Sequence, residues 1–142
     1  MKFNLVTPET VTILARIVGE EHVVLPAAID NMLRYTHDET EDLRYLPEVV
    51  LKPANADEIS RIMRYCHENF LPVTPRGAGT RLSGGALAVH KGVILSTERL
   101  NKIVQIDERN LQATVEPGVI TQVCAGANRL ANKVITATGA ED

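Results

Sequence analysis

Cysteine, tryptophan and long apolar runs are scarce or absent in this sequence, and their scarcity narrows the class of protein. The 142 residues include no tryptophan and only two cysteines, Cys66 and Cys124, far apart on predicted apolar helix faces. Such cysteines are typical of buried free thiols in a reducing cytoplasm. No apolar run approaches the roughly 20 residues of a membrane-spanning helix, and the N-terminus turns polar at Thr7, unlike a signal peptide. We therefore expect a cytoplasmic protein without a membrane span.

Positive charge is not in excess either. Lysine and arginine number 15 against 18 aspartate and glutamate residues, and they are scattered rather than clustered. A nucleic-acid-binding protein normally presents a basic face, so no nucleic-acid partner is expected. The acidic stretch at 35–45 contains His37, but no second group of ligands has matching spacing, so we interpret it as a solvated loop and assign no metal site.

Glycine, by contrast, is concentrated in one stretch. Four of the nine glycines fall within residues 75–86, which read Pro-Arg-Gly-Ala-Gly-Thr-Arg-Leu-Ser-Gly-Gly-Ala. Glycine permits positive φ and lets a ligand approach the backbone, because it has no Cβ. The apolar residues 71–74 predict a strand before this loop, and a strand that leads into such a loop can present N–H groups to a phosphate. Arg76 adds a permanent positive charge beside it.

Two familiar phosphate motifs do not fit this glycine-rich loop. The dinucleotide-binding fingerprint needs glycine at its first, third and sixth positions; Gly77 and Gly79 fit, but the sixth position is Leu82. A P-loop needs a lysine directly after its last glycine, whereas Gly84 is followed by another glycine. Nicotinamide binding and nucleotide hydrolysis are therefore disfavoured, and the loop by itself is most simply a long surface turn.

Hydrophobic periodicity predicts a βαβ unit around this loop. Asn55 and Glu58 form a capping-box pattern at the start of a helix. The apolar face of that helix consists of Ile59, Ile62, Met63, Cys66 and Phe70, and we predict that the first four are buried against a sheet. The helix joins predicted strands at 48–51 and 71–74, which should be parallel. The loop then leaves the carboxyl end of a strand, where open α/β sheets bind ligands.

Shorter elements are predicted on either side of this unit. An N-terminal helix begins at Thr7, where a capping hydroxyl is followed by proline and glutamate, and a second helix covers 27–33. A last helix begins at Thr121 and ends in a frayed tail. Further strands are predicted at 92–96, 103–107 and 111–116, of which the last two form a hairpin.

Several of these motifs together resemble the FAD-linked oxidoreductases of the vanillyl-alcohol-oxidase type, which carry a PCMH-type FAD-binding domain. The nearest group is that of the glycolate oxidase flavin subunit and the D-lactate dehydrogenases. The resemblance extends to about Gln122 and is much more specific than the loop alone. The matching segments, in the family's order, are Tyr35 with Asp38, 49–53 with 57–59, the flavin-binding loop at 75–80 and 82–86, and 115–119.

The resemblance implies an α+β fold with an α/β-like βαβ beginning, namely the first subdomain of a PCMH-type FAD-binding domain. Residues 1–142 would form part of that domain. Its implied segments are an N-terminal helical segment at 1–46, a βαβ core with the flavin loop and following strands at 47–122, and a divergent C-terminal helix and tail at 123–142. The family's Pro-Pro-Asp-Pro stretch, Gly-Gly-Asn segment and substrate domain do not occur here. We therefore expect a truncated product or a fragment.

The resemblance also implies which residues would bind FAD. N–H groups at 77–80 would hold the pyrophosphate, and residues 82–84 would lie nearer the ribityl chain and flavin ring. Arg76 would bind phosphate or form a structural salt bridge, and Gly118 would touch the cofactor or serve as a turn glycine. Thr80 stands where some relatives attach flavin through histidine, so binding should be non-covalent. The full set is Pro75, Arg76, Gly77, Ala78, Gly79, Thr80, Leu82, Ser83, Gly84 and Gly118.

The implied activity is that of a flavin-dependent oxidoreductase acting on a 2-hydroxy acid such as glycolate or D-lactate. No catalytic residue is assigned, because in the family the substrate-binding residues lie in the part that this chain lacks, so the chain alone should be inactive. The alternative is a non-catalytic remnant or interaction module that folds through its βαβ core. Either form could act as a homo-oligomer or with a companion subunit.

Overall fold

A computed structural model describes residues 2–37, 44–78, 85–107, 109–110 and 112–120. The chain divides into two compact units, Met1–Arg99 and Leu100–Asp142. The first unit contains helices α1 (Pro8–Val18), α2 (Ile29–Leu33) and α3 (Ala56–Glu68), a 3₁₀ turn (Glu20–His22), and strands β1 (Val23–Val24), β2 (Val49–Leu51), β3 (Val73–Arg76) and β4 (Val93–Ser96). The second contains strands β5 (Ile103–Asp107) and β6 (Gln112–Val115).

A four-stranded sheet in the order β1-β2-β4-β3 forms the centre of the first unit. Strands β2, β4 and β3 are parallel, with Ile94 opposite both Val50 and Thr74, and β1 is antiparallel to β2. The predicted parallel arrangement of β2 and β3 is confirmed, but β4 lies between them. Strands β2 and β4 are buried along their whole length, which explains why they read as continuous apolar runs without alternation.

Capping residues determine where α1 and α3 begin. The Thr7 hydroxyl accepts a hydrogen bond from the Thr10 N–H at 3.2 Å, with Pro8 at the first helical position. At α3 the Asn55 side chain accepts from the Glu58 N–H at 2.9 Å, and the Glu58 carboxylate accepts from the Ala54 N–H at 2.8 Å. These bonds satisfy N–H groups that have no partner within the helix. Both predicted helix starts are confirmed.

The main core lies between the sheet and the helices α1 and α3. Ile62 and Cys66 are buried there, as predicted, whereas Ile59 packs against this core but is only partly buried. Met63 is 46% exposed, so the prediction that it is buried is wrong. The reason is its position: it lies over β3, the last strand of the sheet, and lines an open groove with His67. Burial raises the pKa of the Cys66 thiol to about 11, which agrees with a free, unreactive cysteine.

Ile62 and Met63 provide a paired test of this core. Ile62→Ala should lower the free energy of unfolding by about 2–5 kcal/mol, because a fully buried side chain is lost and a cavity is left. Met63→Ala should lower it by clearly less than Ile62→Ala, since nearly half of the methionine is already exposed and its removal leaves no closed cavity. Urea denaturation of both variants measures the difference. Equal effects at the two positions would show that the apolar face of α3 is oriented differently.

A second, smaller group of buried residues lies on the other face of the sheet. On that face, Met32, Tyr35 and Ala88 pack against Val50 and Ile94.

In the second unit β5 and β6 form the predicted antiparallel hairpin, with an irregularity between Ile103 and Gln105. The predicted helix from Thr121, together with Cys124, lies outside the described residues. In the part that is described, no helix has the length and apolar character needed to cross a bilayer.

Candidate functional site

The carboxyl ends of three parallel strands meet at one edge of the sheet and bring together residues that are distant in sequence. Lys52 follows β2, the pair Thr97 and Glu98 follows β4, and Gly77 follows β3. Because parallel strands end at the same edge, these polar residues and the start of the glycine-rich loop lie side by side. This is the edge at which open α/β sheets bind ligands.

The predicted cofactor-binding residues are only partly described. Pro75 and Arg76 end β3, and Gly77 and Ala78 follow as exposed residues. Gly118 belongs to the second unit, where it lies after β6 and its N–H donates to the Leu100 carbonyl at 2.7 Å. The remaining predicted residues, Gly79, Thr80, Leu82, Ser83 and Gly84, lie outside the described residues.

Arg76 is buried, with 6% of its surface exposed, and its guanidinium is bonded to backbone carbonyls. One terminal nitrogen donates to the carbonyls of Arg34 at 2.9 Å and His37 at 2.8 Å, and the other donates to the carbonyl of Ala86 at 3.4 Å. Residue 86 is the last of the glycine-rich stretch. The side chain therefore ties both ends of the loop to the segment 34–37.

Gly77 has open space where a side chain would be. Among the described residues, a Cβ added there would contact only the Thr97 hydroxyl, at 3.9 Å. Its φ does not lie in the left-handed region, which Gly19 and Gly92 occupy. Neither the backbone conformation nor the described packing therefore requires glycine at 77. A position kept free of a side chain beside exposed backbone suits a ligand that approaches closely, as a pyrophosphate group would.

A cluster centred on Glu98 lies at the same sheet edge and was not found from the sequence. One oxygen of the Glu98 carboxylate accepts hydrogen bonds from the Tyr35 hydroxyl and from the Ser96 hydroxyl, the latter at 3.1 Å. Lys52 contacts the other oxygen at 3.2 Å, and Arg34 lies 3.4 Å from the first. The sequence did contain one signal for this cluster. A charged residue stands just after each of two apolar strands: Lys52 directly follows β2, and Glu98 stands two residues after β4.

These contacts set the charges in the cluster. Burial would raise the pKa of Glu98, but the hydrogen bond from Tyr35 and the ammonium group of Lys52 outweigh it, so the pKa is lowered. Burial would lower the pKa of Lys52, yet its contacts with Tyr35 and Glu98 raise it. Burial and the Glu98 carboxylate raise the pKa of Tyr35. At neutral pH the cluster therefore holds a carboxylate, an ammonium group and a neutral phenol.

In the described segments, no three histidine, cysteine, aspartate or glutamate side chains lie close enough together to hold a metal ion. The donors that are available at the sheet edge are backbone N–H groups, hydroxyls and cations. Such a set suits an anionic organic group better than a metal ion.

Comparison with known protein families and curated proteins gives consistent matches. The profile of a family described as "FAD binding domain" matches residues 47–137, which is more than half of the chain. Glycolate oxidase subunit GlcD of Bacillus subtilis is 47% identical over 89 residues, covering 63% of this chain and 19% of that protein. A D-lactate dehydrogenase of Anaerostipes hadrus is 32% identical over 120 residues, covering 84% and 25%. The chain thus spans a quarter or less of the length of these two relatives.

Solved structures show the same fold. A p-cresol methylhydroxylase with substrate bound superimposes with a TM-score of 0.76 at 23% identity, covering 87% of this chain and 24% of that one. An alkyldihydroxyacetonephosphate synthase gives a TM-score of 0.76 at 16% identity, covering 92% and 28%. At these identities the likeness concerns the fold, and it confirms the predicted mixture of helices and strands with a parallel sheet.

Proposed function

The chain belongs to the family of FAD-binding domains, and from this premise we propose that it forms one wall of the FAD site of a PCMH-type flavin oxidoreductase that acts on a 2-hydroxy acid. FAD is the cofactor of this family. The names of the relatives, a glycolate oxidase subunit and a D-lactate dehydrogenase, support a small 2-hydroxy acid as the substrate. When bound, the flavin supplies the redox chemistry, and the protein supplies its placement.

The single observation that carries this proposal is the open space at Gly77, at the carboxyl edge of the sheet. We assign the N–H groups of residues 77–80 to the FAD pyrophosphate, with the Thr80 hydroxyl as an additional donor. Residues 82–84 are assigned to the ribityl chain and ring, and Gly118 to a contact with the cofactor. Arg76 and Pro75 act at the base of the loop. With threonine at position 80, the flavin is held without a covalent bond.

The proposed domain organisation follows from the family resemblance. Residues 1–46 form a helical entry segment, 47–122 contain the core with the flavin loop, and 123–142 form a divergent C-terminal segment. The second wall of the FAD site is supplied by polypeptide outside this chain, in a longer product or in a companion subunit. The alternative is a non-catalytic remnant or interaction module that folds through its βαβ core. We place the protein in the cytoplasm.

The isolated chain is expected to bind FAD weakly or not at all. A bound ligand normally loses most of its surface to the protein, and one wall of a cleft cannot provide that contact. Titration of the purified chain with FAD, followed by fluorescence quenching and calorimetry, measures the affinity. Tight stoichiometric binding would contradict the two-wall proposal.

The substrate class is tested in the protein that contains both proposed walls of the FAD site, called the full-length protein below. It is first loaded with FAD. Anaerobic addition of glycolate or D-lactate should bleach the flavin absorbance, whereas L-lactate and a primary alcohol serve as controls. Bleaching by glycolate or D-lactate, but not by the primary alcohol, supports the oxidoreductase. A protein that binds FAD but is reduced by none of these acids would show that the proposed substrate class is wrong.

A further inference from the structure

We propose that Glu98 is a positioning residue for the FAD-binding loop. It holds the segment 34–37 against the sheet edge, and that segment in turn fixes Arg76 at the base of the loop. The inference rests on the proposed function, because it concerns the same FAD site, and it adds residues that neither the loop motif nor the family match assigns.

Glu98 lies two residues after β4, which is an inner strand of the sheet. Strand β4 is paired on both sides, with β2 and with β3. Ser96, the last residue of β4, is fully buried, and its hydroxyl donates to the Glu98 carboxylate. The carboxylate is therefore held close to the end of β4, where it contacts Tyr35 and Arg34.

The segment 34–37 is held by charge and by hydrogen bonding from this carboxylate. Tyr35 donates its hydroxyl proton to Glu98, and the Arg34 side chain forms an ion pair with the same oxygen. Three cationic groups, of Arg34, Lys52 and Arg76, lie 5.2, 5.8 and 5.8 Å from the centre of the Tyr35 ring. In the described residues, the Glu98 carboxylate accepts the Tyr35 hydroxyl and pairs with Arg34 and Lys52. Neutralising it therefore weakens that hydrogen bond and leaves the cations facing one another without its offsetting charge.

The same short segment then holds Arg76. The carbonyls of Arg34 and His37 accept hydrogen bonds from the Arg76 guanidinium, at 2.9 and 2.8 Å. A second connection runs through Thr97, the residue before Glu98, whose N–H donates to the Arg76 carbonyl at 2.9 Å. The Thr97 hydroxyl is also the described atom nearest to the open space at Gly77. Glu98 thus acts on Arg76 through the segment 34–37, while the neighbouring Thr97 contacts the same residue through the backbone.

The first test uses the chain without FAD. In Glu98→Gln and in Tyr35→Phe, amide hydrogen exchange should accelerate about tenfold or more at Tyr35, Thr36 and Tyr45, the last of which donates to the Thr36 carbonyl. Exchange at Val93, whose N–H donates to the Pro72 carbonyl, should stay unchanged. Unchanged exchange at all positions would overturn the claim that Glu98 holds the segment.

The second test measures FAD affinity in the full-length protein. Glu98→Gln should weaken FAD binding about tenfold, Glu98→Asp should recover part of the loss, and the exposed Glu9→Gln should bind like the parent. The unfolding midpoint of the apoprotein should remain close to that of the parent. Normal affinity in Glu98→Gln, or a loss of affinity that matches a general loss of stability, would overturn the positioning role. A parent that fails to bind FAD would refute the proposed function instead, while the exchange result would stand.

Discussion

Gly77→Val is expected to weaken FAD binding by roughly 100-fold or more in the full-length protein and to leave the fold intact. The glycine has ordinary backbone geometry, and a Cβ would meet only the Thr97 hydroxyl among the described residues. The fold therefore has room for the side chain. The proposed pyrophosphate does not, because valine would occupy the space beside the N–H groups that bind it. Fluorescence titration measures the affinity, and thermal unfolding of the apoprotein checks the fold.

Gly77→Ala is the matched variant with a single added carbon, and it should bind FAD with an affinity between those of valine and the parent. A graded loss with unchanged unfolding temperature would locate the ligand at this Cα. If Gly77→Val binds FAD as well as the parent, the loop does not approach the pyrophosphate at this residue, and the assignment of residues 77–80 fails.

Gly92→Ala should affect the fold rather than ligand binding. It should lower the free energy of unfolding of the chain by about 2–5 kcal/mol. Gly92 has φ of +72°, where residues with a side chain are strained. A Cβ at this position would also lie 2.5 Å from both Cγ and the carbonyl oxygen of Pro72. That carbonyl accepts the Val93 N–H, so the clash cannot be relieved without disturbing the pairing of β3 with β4. Urea denaturation measures the effect.

The neighbouring residue supplies the control for Gly92. Lys91 is exposed and also has positive φ, of +61°. Lys91→Gly should leave the stability unchanged or slightly raised, because it relieves a strained conformation without touching the core. Gly92→Ala with wild-type stability would mean that β3 and β4 are joined by a less crowded connection than the one described.

Much of the fold was predictable because its local signals agree with one another. The capping residues Thr7 and Asn55 mark the starts of α1 and α3, and both starts are observed. The hairpin of β5 and β6 was equally clear from its turn residues. Such signals depend on neighbours within a few positions, which a single sequence displays directly.

Contacts between segments that are distant in the chain were harder to predict from the sequence. Nothing local indicates that β4 lies between β2 and β3, or that Met63 lies over the edge of the sheet. The Glu98 cluster joins residues that are distant in sequence, for example Tyr35 and Glu98, which are 63 positions apart. Its charged members, Arg34, Lys52 and Glu98, look like ordinary surface charges in the sequence, since they come together only when the strands are assembled. The glycine-rich loop, in contrast, was found because its four glycines are close together in the sequence.

Pro75 has a consequence for how the chain avoids aggregation. Strand β3 is the last strand of the four-stranded sheet, and the Arg76 carbonyl points inward to Thr97. Because successive residues of a strand direct their backbone groups to opposite sides, Pro75 faces the outer edge, and as a proline it has no N–H to offer there. Another strand that tried to extend the sheet at this edge would lack a donor, so self-association by edge pairing is discouraged beside the ligand loop.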